Sequence, residues 1–80
     1  MTRHFILDEN WLEVANGACM IEATEGTSYI HFGATPPPEG SKAYHKVYRP
    51  DHAVISYGGA LQAWTKAGDT RAEIVVTAGE

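Results

Sequence analysis

Glycine-bearing reversals divide this chain into segments too short for a helical domain. Asn16-Gly17, Glu25-Gly26, Gly58-Gly59 and Ala67-Gly68-Asp69 each mark a tight turn. Such turns demand positive φ, which glycine adopts without steric cost. The runs between them alternate with the period of a strand. Ile30 and Phe32 share one face and Tyr29 and His31 the other, and Ile74 and Val76 oppose Glu73 and Val75. Over residues 43–49, Tyr44, Lys46 and Tyr48 fall opposite Ala43, His45, Val47 and Arg49. "HFIL" (4–7), "WLEV" (11–14) and "AVISY" (53–57) read as further strands. Residues 18–24 and 28–33 flank the Gly26 turn and read as one hairpin, and 61–67 and 71–77 flank Gly68 and read as a second. No window of helical length carries a sustained apolar stripe. The expected fold is therefore all-β, a compact sandwich or small barrel of about seven or eight short antiparallel strands, forming one domain over residues 1–80.

Pro36-Pro37-Pro38 interrupts this pattern, because proline donates no ladder hydrogen bond and cannot lie in a central strand. Three prolines in a row favour an extended polyproline run of roughly 10 Å. With Gly33 ending the strand before it and Gly40 releasing the chain after it, the segment reads as a stiff crossover or exposed loop between two halves of one sandwich.

An 80-residue chain buries little more than about 60% of the surface its unfolded form exposes, so a small core needs a supplement. Cys19 is the only cysteine, which excludes an internal disulfide and leaves self-association as the expected supplement. Hydrophobic residues make up 44% and charged residues 20%, a globular rather than a disordered composition. The formal net charge of −4 gives no general attraction to nucleic acid or anionic membranes. The apolar run Phe5–Leu7 is closed at once by Asp8-Glu9, so the N-terminus does not read as a signal peptide, and a soluble protein folded in a reducing cytoplasm is expected.

Residues that carry chemistry are sparse. His4, His31, His45 and His52 show no zinc-type pairing, although strands could bring His31 and His45 together. Cys19, between Ala18 and Met20, reads as a small buried hydrophobe. Ser41, Ser56, Asp51 and His52 form a triad only on paper, without a nucleophile elbow. No enzyme, cofactor or metal site is expected. The segment "SKAYHKVYRPDH" (41–52) holds three of the six lysines and arginines, interleaved with Tyr44 and Tyr48. Stacking plus charge can grip single-stranded nucleic acid, but three cations would neutralise few phosphates. Tyrosine and arginine equally mark protein interfaces, and a protein contact or a plain solvated face is the preferred reading. Trp11 and Trp64 are expected in the core. An exposed tryptophan would instead point to sugar binding.

The order "NWLEVANGACMIEAT", "YIHFGATPPPEGSKAYHKV" and "LQAWTKAGDTRAEIVVT" resembles small β-sandwich virion proteins of tailed bacteriophages. The resemblance spans about residues 10–77. It rests on Trp11, Val14, Gly17, Phe32-Gly33, the proline run, Trp64 near Lys66, and the closing Ile74, Val76 and Thr77. The triple proline and the aromatic-basic 43–49 segment depart from the pattern. The resemblance implies a virion structural subunit, foremost a capsid decoration (cement) protein bound to the major capsid protein or another virion protein. A neck, tail or fibre adaptor, or a small carbohydrate-binding module, is the alternative. It also implies a homo-oligomer, with a trimer favoured. Pro36, Pro37, Pro38, Tyr44, Tyr48 and Arg49 are the expected contact residues, with no nucleic acid or membrane partner.

Overall fold

The computed structural model describes residues 1–79. It has eight strands: β1 (Thr2–Leu7), β2 (Leu12–Asn16), β3 (Cys19–Glu25), β4 (Thr27–Phe32), β5 (His45–Tyr48), β6 (Val54–Tyr57), β7 (Gln62–Ala67) and β8 (Ala72–Ala78). They form two four-stranded antiparallel sheets, β1-β8-β3-β6 and β2-β7-β4-β5. The expected all-β sandwich is what forms. Its strand order has the nested pairing of an eight-stranded jelly roll: β1 with β8, β2 with β7, β3 with β6, β4 with β5.

Alternation places the core. Ile21 and Ala23 of β3, Ile30 of β4, Ala63 and Ala67 of β7, and Ile74 and Val76 of β8 point between the sheets and are buried. Cys19 joins them, as expected of a small hydrophobe, and burial pushes its thiol pKa up. Phe32 of one sheet stacks on Tyr57 of the other, ring centroids 4.0 Å apart, and closes one end of the sandwich.

Neither expected hairpin forms. β3 and β4 lie in different sheets, as do β7 and β8. The physical reason at the first corner is loop length. Gly26 alone separates Glu25 from Thr27, whereas a tight hairpin needs a two-residue loop. At φ +73° Gly26 instead swings the chain across to the opposite sheet. The two corners pack together: the Gly68 N–H donates to the Thr27 carbonyl at 2.8 Å. A Cβ on Gly26 would lie 3.0 Å from the Arg71 carbonyl oxygen.

The proline segment is likewise no crossover. It joins β4 to β5, neighbours in one sheet, and every other connection passes between sheets. Its exposed-loop reading holds for Pro36 and Pro38, while Pro37 is buried. The run ends in a tight turn, in which the Ser41 N–H donates to the Pro38 carbonyl at 3.0 Å and Gly40 has φ +83°. That is type II geometry, with glycine at the position that requires positive φ.

Candidate functional site

The outward face of the β2-β7-β4-β5 sheet carries the molecule's chemistry. On β7, Ala63, Thr65 and Ala67 point inward, which turns Trp64 and Lys66 outward. On β4, Ser28 and Ile30 are buried and Tyr29 and His31 face out. Register places Tyr29 beside Lys66 on one flank and Lys46 on the other, with His31 beside Trp64. Tyr44, just before β5, stacks on Tyr29 with centroids 4.3 Å apart and planes at 23°. Trp11, just before β2, meets Tyr44 at 6.2 Å and His31 at 6.4 Å. The Lys66 ammonium lies 5.2 Å from the Trp11 ring centroid and 6.0 Å from that of Tyr29, within cation–π range.

Hydrogen bonds fix parts of this face. His31 donates from Nδ1 to the Ala43 carbonyl at 2.7 Å, tying the chain entering β5 to β4. The Trp64 indole N–H donates to the Gly33 carbonyl at 3.0 Å and anchors the start of the proline loop. The Trp11 indole N–H has no protein acceptor among the described residues.

Beside Trp11 the proline loop and the β1–β2 loop enclose a groove of about 330 Å3. Pro36–Pro38, Glu39, Gly40 and Ser41 form one wall, and Glu9, Asn10, Trp11 and Lys66 the other. A smaller hollow of about 190 Å3 is lined by Asn16, Ala18, Ala78 and Gly79 and brings together no chemically active groups.

The expected contact residues fall into two places. Pro36, Pro37 and Pro38 line the groove, and Tyr44 connects them to the face through Trp11. Tyr48 and Arg49 lie at the opposite end of β5, where Tyr48 pairs with Thr27. There Lys46 approaches the Tyr48 ring at 5.6 Å, His52 packs edge-on at 5.5 Å, and the Arg49-Pro50 peptide is cis. Both tryptophans are half-buried on this outer face, and the expectation of core tryptophans is overturned. On β7 alternation gives the inward positions to Ala63, Thr65 and Ala67 and turns Trp64 out, while Trp11 precedes β2 and packs against Tyr44 and His31. Trp11, Tyr29, His31 and Lys66 belong to the face although none was among the expected contact residues. For Tyr29, His31 and Lys66 the signal was parity, since each lies out of phase with a buried neighbour, Ser28, Ile30 or Ala67.

His31 and His45 do not meet. His45 pairs with Ile30 and packs near Phe32 at 6.0 Å, on the side opposite His31. Ser56 pairs with Met20 in the other sheet, away from Ser41 in the proline loop. No family model, curated protein or solved structure matches the chain.

Proposed function

We propose that this chain is a non-enzymatic structural subunit of a tailed-phage virion, a capsid decoration protein that docks on the assembled head. One observation carries the reading: the core is aliphatic, while Trp11, Trp64, Tyr29, Tyr44 and Tyr48 are placed on one outer sheet face with Lys46 and Lys66. Clustered tryptophan and tyrosine side chains are what protein interfaces enrich, and the two lysines beside them suit the polar rim of such a contact. The nested strand order is found in viral capsid domains, but a fold alone assigns no function, so the reading rests on the side chains and on the sequence resemblance. In this role the protein bridges joints between capsid subunits and adds binding energy that opposes the pressure of packaged DNA. The tight turn after the proline run limits the entropy lost when the loop docks. Self-association, as a trimer, supplements the small core.

Quantitative mass spectrometry of purified particles tests this. Many copies per head support a decoration protein. A few copies per particle would move it to the neck or tail, and absence from particles overturns the virion reading. Replacing Tyr44 and Tyr48 together by alanine should release the protein from heads while leaving it folded.

A further inference from the structure

The groove beside Trp11 joins the aromatic face to Glu9, Asn10, Glu39 and Ser41, polar groups to which the docking reading gives no part. We infer that it binds a neutral saccharide of one or two pyranose rings. Its volume of about 330 Å3 lies at the lower end of small-molecule sites. Trp11 supplies an aromatic surface for the C–H face of a sugar ring. Its indole N–H donates to no acceptor among the described residues and can serve a ligand hydroxyl. Trp64, by contrast, has its N–H engaged by Gly33 and does not line the groove.

The polar groups around Trp11 suit hydroxyls. Glu9 and Glu39 bring acceptors, Asn10 brings both an acceptor and donors, and Lys66 brings donors. None of these four side chains forms a hydrogen bond or ion pair within the protein among the described residues. The Ser41 hydroxyl accepts from the Ala43 N–H at 3.1 Å and keeps its proton to donate. Charge narrows the class further. Two carboxylates against one ammonium disfavour an anionic ligand such as a phosphate or sialic acid. Lys66 already occupies the cation position over Trp11 and repels a second cation there. A neutral polyol meets neither penalty. The walls are partly preformed, because the turn closed by the Ser41–Pro38 hydrogen bond holds Glu39 and Gly40 at the rim.

The test titrates the full chain, labelled with 15N, with a panel of neutral disaccharides: maltose, cellobiose, lactose and di-N-acetylchitobiose. At least one should cause saturable shifts confined to the Trp11 indole, the Asn10 side-chain amide and the Gly40 and Ser41 amides. Trp11→Ala and, as a milder loop change, Asn10→Ala should each weaken that binding about tenfold or more. Tyr48→Ala, at the far end of the sheet, should leave it unchanged. No shift with any disaccharide overturns the proposal, as does binding that survives both Trp11→Ala and Asn10→Ala. Saturable binding of a triarginine peptide in place of the sugars also overturns it and assigns the groove to a basic segment. Copy number in particles is independent of all these readouts, so the virion reading stands or falls separately.

Discussion

Two hydroxyls sit where the core has no use for them. Ser28 and Thr65 are fully buried on neighbouring strands, and neither side-chain oxygen reaches a partner among the described residues. A buried, unsatisfied hydroxyl costs about 1–3 kcal/mol. Thr65→Val keeps the branched shape and removes the polar atom, so it should stabilise the fold by about 1 kcal/mol, read as a higher urea midpoint at unchanged slope. A fall in the midpoint would show that the hydroxyl is satisfied. At the surface, Glu73 joins three strands. Its carboxylate lies 2.8 Å from His4 Nε2 on β1 and 2.9 Å from Arg71, and register sets it opposite Glu25 on β3. The neighbouring Glu25 carboxyl first, then His4 and Arg71, hold its pKa below the usual carboxylate value. A depressed acid stabilises the fold above its unfolded pKa, and that contribution is lost as pH falls through the folded value. Glu73→Gln should therefore lower the melting temperature near neutrality, and the gap to wild type should close on acidification below the carboxylate range. A gap that is constant from neutral to acid pH would show that the charge contributes nothing.

At the level of elements, the two glycine corners explain both what was legible and what was not. The strands were visible because alternation sets their inner faces: Ile21 and Ala23, then Ser28 and Ile30. A hairpin and a corner between sheets leave that alternation identical, since in both the apolar sides of consecutive strands meet one core. Only the hydrogen-bond partners differ, and side-chain pattern does not encode them. The same limit governs the site. Tyr44 and the prolines stood out by composition, whereas Trp11 and Lys66 came to the groove through pairings between distant segments. Gly26 is the element on which the first corner turns. At φ +73°, a side chain costs about 1–2 kcal/mol in backbone strain. Its Cβ would also press on the Arg71 carbonyl and on Ala72, at 3.0 and 3.4 Å. Gly26→Ala should therefore destabilise by about 2 kcal/mol or more in equilibrium denaturation. A change within experimental error would mean that the corner relaxes freely.

Taken whole, the chain is one long nested hairpin folded over on itself. Each of the six strand pairs joins one of β1–β4 to one of β5–β8, and no two strands from the same half are hydrogen-bonded neighbours. Loop-closure entropy must be met before most of these pairings form, so refolding should fall in the milliseconds-to-seconds range of non-local β folds. Stopped-flow tryptophan fluorescence would show this, and microsecond folding would contradict it. The interdigitation has a stronger consequence. Between Gly40 and Ser41 the chain lies in the proline loop, where a cut removes one turn hydrogen bond and no strand pair. Residues 1–40 then contain β1–β4 and residues 41–80 contain β5–β8, so each peptide has strands but no partner within itself for any of them. Each should be unstructured alone by circular dichroism. An equimolar mixture should recover the native strand signal and amide spectrum, and lose them again on dilution, because association now carries an entropy cost that the loop had removed. A native-like amide spectrum from either peptide alone would show that half the sandwich holds together without the other.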